Sequence, residues 1–264
     1  MTRDVEYIDE PVSELQRLDV FAPDGKGCAP AVVWVHGGGW RIGDKKRLQN
    51  KAAFFNGLGY VFVSVNYRLS APEGDPARPV HPAHAEDVGA AVAWVEKNIK
   101  DYGGDGRDIM LLGHSAGGHL VALVGLDPRY VEDAGGDADA IHCVVPNDSE
   151  GYDIPARVAL GVPQLNSLLE NAFGTDPEVL LDASPISHVD DRKQPPDFFI
   201  ISRGGPRRVG VAQDFADAMT KAGGEAEVLD ATGYTHMDVN RRLGEPGETV
   251  ITPPVEKFTK SCLG

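Results

Sequence analysis

The sequence predicts an α/β protein whose mostly parallel sheet is covered by helices on both faces. Three observations predict it. Apolar runs of strand length alternate with segments of helical periodicity along the chain. The pentapeptide Gly113-His114-Ser115-Ala116-Gly117 lies between such a run and a helix start, and Ala31-Val32-Val33-Trp34-Val35 runs into the glycines Gly37, Gly38 and Gly39.

Leu15 to Phe21 reads as the first strand, Ala31 to Val35 as the next and Tyr60 to Tyr67 as another. Between the last two, Lys45 to Gly57 is predicted as a helix stopped by Gly57-Leu58-Gly59. His81 to Asp101 is a second helix, its Val88, Val92, Val95 and Ile99 recurring at helical steps. Ile109 to Leu112 is a buried strand, and Gly118 to Val124 opens a helix of small apolar residues. Ile141 to Pro146, Phe198 to Ser202 and Glu227 to Asp230 complete the strands, with a helix over Val211 to Lys221. Residues 149–196 form a less regular insertion with a short helix near Asn166 to Ala172, a candidate lid. Neither a repeat nor an interdomain linker interrupts the chain, so residues 1–264 are expected to form one domain.

The G-x-S-x-G spacing fits a sharp turn from strand to helix, in which the glycines remove side chains that would collide and the serine stands at the tip. A serine hydroxyl needs a base and donors for the developing oxyanion, so Ser115 is a candidate nucleophile. His36-Gly37-Gly38-Gly39-Trp40 suits the second need. Amides of Gly38 and Gly39, with that of Ala116, can face one point unobstructed. A flexible surface loop or a phosphate-binding turn is the other reading of such glycines, but neither accounts for the serine turn downstream, and no Gly-Lys-Ser or Gly-Lys-Thr follows.

Together, His36-Gly37-Gly38-Gly39-Trp40 and Gly113-His114-Ser115-Ala116-Gly117-Gly118-His119 resemble the α/β-hydrolase superfamily. More narrowly, the chain is similar to esterases related to hormone-sensitive lipase, including feruloyl and acetylxylan esterase-like enzymes and kynurenine formamidases. Val65-Asn66-Tyr67-Arg68-Leu69, His81-Pro82-Ala83-His84 with Asp87, Tyr102-Gly103-Gly104-Asp105 and Ser184-Pro185-Ile186 agree with it, so the match spans most of the chain from Ala29. The resemblance implies an α/β-hydrolase fold with a reduced cap, because little sequence precedes Ala29. It also implies serine-hydrolase chemistry without a cofactor.

The chain has eight histidines. The order the resemblance implies is nucleophile, acid, then a histidine after the last strand, and His236 fits. His36 belongs to the oxyanion loop. His114 and His119 flank the nucleophile, where His114 supports its geometry or contacts substrate. His81, His84, His142 and His188 read as structural. The usual acid follows the penultimate strand, but Arg203-Gly204-Gly205-Pro206-Arg207-Arg208-Val209 contains no carboxylate. Asp197 precedes that strand, whose five residues would leave it roughly 16 Å from the catalytic edge, and Asp214 falls on a helix. Asp148, after the earlier strand ending at Asn147, is the preferred acid; Asp153 and a missing acid are the alternatives. Arg203, Arg207 and Arg208 read as solvated charges or local partners for an acidic surface, with recognition of an acidic substrate as the alternative. Trp40 is a candidate subsite wall or an anchor of the oxyanion loop.

These residues predict a carboxylesterase for small or short-acyl esters acting through an acyl-enzyme. An arylformamidase at the same site is one rival, and a ligand-binding protein without catalysis is the other. The net charge of −15 argues against nucleic acid. The apolar runs are too short for a membrane span, and the N-terminus lacks an apolar secretion segment, so a cytoplasmic protein is expected. Three widely separated cysteines, Cys28, Cys143 and Cys262, suit a reducing compartment and speak against disulfides. No metal is expected, because His81 and His84 lack an H-E-x-x-H pattern.

Overall fold

A computed structural model describes residues 1–24 and 27–264. Strands β1 (Thr2–Glu6) and β2 (Arg17–Phe21) open the chain as an antiparallel pair. The pattern predicts only the second, because β1 is a charged, exposed edge. Then follow β3 (Ala29–Val35), β4 (Val61–Val65), β5 (Gly104–His114), β6 (Ile141–Asn147), β7 (Asp197–Ser202) and β8 (Ala226–Asp230). The described strands form one eight-stranded sheet in the order β1-β2-β4-β3-β5-β6-β7-β8, parallel from β4 to β8.

Side chains alternate along a strand, and here both faces are buried. Val33 and Val35 join Val63 and Leu111 on one face, against α2 (Ala83–Asn98) and α3 (Ala116–Leu126). Val32 and Trp34 join Phe62 and Leu112 on the other, against α1 (Lys51–Gly57) and α10 (Thr252–Cys262). The sheet therefore needs strands of continuous apolar character, which is how β3 and β4 read.

The helix predicted from Lys45 begins only at Lys51. The backbone of Lys45 is already engaged: its N–H donates to Asn66 Oδ1 at 2.6 Å, and its carbonyl accepts from Ser64 Oγ at 2.8 Å. Its buried ammonium pairs with Asp19 and with Asp4. These long-range partners outweigh helical propensity. The helix predicted from Val211, α8, instead spans Pro206–Lys221 and takes Arg207 and Arg208 into its first turn. Proline at the first helical position favours that start.

The insertion is more helical than its sequence suggests, with α5 (Ile154–Ala159), α6 (Pro163–Phe173) and α7 (Pro177–Asp182). Short helices α4 (Arg129–Glu132) and α9 (Asp238–Arg241) complete the set, and no helix of the described residues is long and apolar enough to cross a membrane.

The cysteine expectation fails. Cys143 on β6 is disulfide-bonded to Cys262 at the end of α10, with Cα atoms 6.2 Å apart and a sequence separation of 119. Cys28 alone is free and exposed. An odd count excludes a complete pairing but not a single bridge, and spacing along the chain cannot show that α10 packs behind β6.

Candidate active site

β5 ends at His114 and α3 begins at Ala116, so one residue must reverse the chain. Ser115 does so with φ 56° and ψ −118°, a conformation non-glycine residues rarely adopt. The turn is too tight for side chains on its flanks. A Cβ at Gly117 would lie 2.2 Å from the carbonyl oxygen of Val35, and one at Gly113 would lie 2.2 Å from that of Gly117. The amide of Ser115 donates to Asn147 O at 2.9 Å, which ties the turn to β6.

β6 lies beside β5, so the residue after Asn147 emerges next to the turn. That residue is Asp148, also at positive φ (52°), its amide bonded to Ile201 O at 2.7 Å. His236 arrives from the loop after β8. Its Nδ1–H donates to Asp148 Oδ2 at 2.6 Å, and its Nε2 lies 3.1 Å from Ser115 Oγ, placed to accept the hydroxyl proton. Because a carboxylate only accepts, the contact with Asp148 fixes the tautomer.

The structure thus brings Ser115, His236 and Asp148 together. Asp197 lies at the opposite end of β7, and Asp153 caps α5 by accepting from Ala156 N. Asp214 is exposed on α8. The arginine loop explains why the carboxylate comes from β6. Arg203, at the end of β7, donates through Nε to Asp148 Oδ2 at 2.8 Å, and Arg208 through Nη2 to Asp148 Oδ1 at 2.7 Å. Burial alone would raise the carboxyl pKa, but the His236 hydrogen bond, the Arg208 charge and the Arg203 bond hold it below the ordinary range.

Three buried side chains fasten the segment that carries His236. His114 Nε2–H donates to His236 O, Asn147 Nδ2 to Val239 O and the Lys51 ammonium to Asn240 O, at 2.8, 2.8 and 2.5 Å. Burial, then the neighbouring His236, lower the His114 pKa to about 3, so its ring stays neutral. Burial lowers that of Lys51 to about 7. His114 lines the cleft, is 3% exposed, and holds the His236 loop through Nε2. Lys51 and Asn147 carry no sequence signal, since only the fold brings them to this segment.

Gly38 (φ 133°) and Gly39 (φ 60°) take backbone conformations suited to glycine, and a Cβ at Gly38 would lie 1.8 Å from Ile42 O. With Ala116 they line the cleft around Ser115. None of the turn hydrogen bonds among the described residues uses the amides of Gly38 or Gly39, and Ala116 is the first residue of α3, where amides lack helical partners. Trp40 also lines the cleft, yet its ring is wedged edge-on between His119 and Phe173 of α6, at centroid distances of 5.3 and 4.8 Å. It anchors the glycine loop at Gly37, Gly38 and Gly39 to the insertion.

The cleft measures about 740 Å³; Leu165, Leu168 and Leu169 of α6 give it an apolar wall. Glu150 and Arg157 also border it and escape the sequence reading, although Glu150 stands two residues from Asp148. The remaining histidines are occupied elsewhere. His81 pairs with Asp182 at 2.8 Å, His142 with Asp108 at 2.8 Å, and His188 with Asp191 at 2.7 Å; His84 bonds Ser70 and His119 bonds Ala183 O. His36 stacks on Tyr67. Two groups cluster like metal ligands: His114, Asp148 and His236, and Asp127, His188 and Asp191. Arginines neutralise a carboxylate of each, Arg203 and Arg208 in the first and Arg129 in the second.

A family model described as BD-FAE matches residues 18–213. The chain belongs to the BD-FAE family. This BD-FAE chain is 31% identical over 224 residues to a probable carboxylic ester hydrolase, LipM, of Mycobacterium tuberculosis (strain ATCC 25618 / H37Rv), covering 80% of the chain and 50% of LipM. It is 34% identical over 216 residues to esterase LipC of the same strain, covering 76% and 50%. The chain thus spans about half the length of these curated relatives. A solved truncated carbohydrate esterase from gut microbiota superposes with a TM-score of 0.79 at 22% identity, covering 98% of this chain and 94% of that one. That likeness concerns the fold, which is the α/β-hydrolase fold expected from the motifs.

Proposed function

We propose that the protein is a serine carboxylesterase for small or short-acyl esters. The reading rests on the position of His236, which spans Ser115 Oγ and Asp148 with both ring nitrogens engaged in the required sense. Ser115 attacks the ester carbonyl while His236 takes its proton, and Asp148 stabilises the imidazolium formed. The amides of Gly38, Gly39 and Ala116 receive the oxyanion. His236 then protonates the leaving alcohol, and water repeats the sequence to release the acid. The relatives named as ester hydrolases support the bond type.

A binding protein without catalysis was suggested by the missing acid in the loop after β7, and Asp148 removes that reason. Residues 149–196 act as a lid whose leucines favour a short acyl chain. A disulfide between β6 and α10 favours an oxidising compartment over the cytoplasm expected from composition. The test is hydrolysis of p-nitrophenyl acetate beside N-formylkynurenine by the wild type and by Ser115→Ala. Ester turnover that disappears in the variant is expected; turnover of the formyl amide alone would overturn the ester reading.

A further inference from the structure

Behind Asp148 the structure gathers more positive charge than the protein neutralises. Arg157 of α5, Arg203, and Arg207 and Arg208 of α8 surround only two carboxylates, Asp148 and Glu150. Four cations against two anions leave two positive charges in excess, in a chain whose net charge is −15. Both carboxylates are deeply buried, with side chains 0% and 7% exposed, and their oxygens are shared. Arg203 and Arg208 hold Asp148; Arg208, Arg157 and Arg207 converge on Glu150, the last two at 2.9 and 3.1 Å.

Arg157 is the least satisfied member. Its side chain is 11% exposed and reaches Glu150 through Nη2 alone. Its Nη1 is buried and has no hydrogen-bond partner among the described residues. Leaving a buried charged donor unpaired is costly. Burial accordingly lowers the pKa of Arg157 despite Glu150 beside it. Arg157, Arg203 and Arg208 all border the cleft that contains Ser115 and His236, so an anion in that cleft stands beside the unpartnered guanidinium of Arg157.

We propose that Arg157, backed by the excess charge of this cluster, forms an anion subsite of the cleft that receives a carboxylate carried by the ester substrate. The subsite rests on the esterase reading for its place in turnover, while the binding it predicts does not depend on hydrolysis. Arg203 and Arg208 are committed to Asp148, so the four arginines divide their work. Two hold the acid, and Arg157 is left to discriminate among substrates. The negative field of the whole protein would otherwise repel such an ester, which makes a local positive site necessary for its uptake.

The experiment compares kcat/KM for the monoethyl esters of succinate, glutarate and adipate with that for neutral isosteric ethyl esters. At least one monoethyl ester is expected to exceed its isostere by tenfold or more, and added salt should erode the preference. Arg157→Gln should lower the ratio at least tenfold, and Arg157→Lys should retain part of it. Binding of the same esters to Ser115→Ala by calorimetry gives the answer even if neither kind is hydrolysed. Ratios near one throughout the wild-type series, or an unchanged ratio in a folded Arg157→Gln, would overturn the subsite. Hydrolysis of neutral esters without preference would leave the esterase reading intact. Preferential binding of the monoethyl ester without hydrolysis would uphold the subsite and sink the esterase.

Discussion

Replacing Asp148 by asparagine tests both the third member of the site and the arginines that hold it. Oδ2 of Asp148 receives His236 Nδ1 and Arg203 Nε, while Oδ1 receives Arg208 Nη2. An asparagine has one acceptor end and one donor end. With its oxygen toward His236 it also satisfies Arg203 and opposes only Arg208. Reversed, it opposes Arg203 and forces His236 into the tautomer that cannot take the serine proton. Each orientation thus opposes one arginine, so the productive one stays accessible, and the loss is chiefly that of the negative charge facing the imidazolium. A unit charge pair about 4 Å apart at an effective dielectric near 20 is worth about 4 kcal/mol, or roughly a 10³-fold fall in kcat. Arg203→Ala in the Asp148→Asn background frees the amide to turn, and kcat should fall at least a further tenfold, toward the roughly 10⁴-fold loss associated with the wrong tautomer. Steady-state kinetics on p-nitrophenyl acetate across the four proteins of the cycle read this directly. Turnover of Asp148→Asn within tenfold of wild type would refute its role, and simple additivity with Arg203→Ala would refute the orientation argument.

Three further outcomes are expected. Gly38→Ala, whose methyl would collide with Ile42 O, should displace an oxyanion amide and lower kcat about 10²-fold with KM little changed; an unaltered kcat would exclude Gly38 from that role. Burial lowers the pKa of His84 and His114 to about 3 and of His119 to about 4. The unfolded chain binds protons near pH 6.5 and the folded one does not, so stability is full above that pH and declines as pH falls through it toward the folded values. Three such groups approach a slope of about 4 kcal/mol per pH unit, visible as a lower urea midpoint at pH 5 than at pH 7; equal midpoints would contradict it. Reducing Cys143–Cys262, which closes a loop of 119 residues, should cost roughly 3–5 kcal/mol of stability, whereas titration of three thiols in the unreduced native protein would show that the bridge is not formed.

The order of elements and most of the site were legible because they depend on local rules. The elbow at Ser115 needs glycines at fixed offsets, β3 and β5 need continuous apolar runs, and His236 follows the last strand. Asp148 was reachable by elimination, since the loop after β7 lacks a carboxylate and β6 ends on the same sheet edge. What was not legible depends on partners distant in sequence. Lys45 reads as helical until Asn66 and Ser64 claim its backbone. Arg203 and Arg208 read as surface charges until β6 places Asp148 between them. Cys143 and Cys262 look like isolated thiols until α10 lies behind β6, and nothing local marks Lys51 as a clamp on the His236 segment.

The central claim is that His236 activates Ser115 for attack on an acyl carbon. Labelling with a fluorophosphonate, followed by mass spectrometry of the peptides, tests it most directly. We expect one stoichiometric adduct, on Ser115, absent in Ser115→Ala and slowed by orders of magnitude in His236→Ala. Adduct formation on another residue, or an intact folded protein that takes up no label, would contradict the claim.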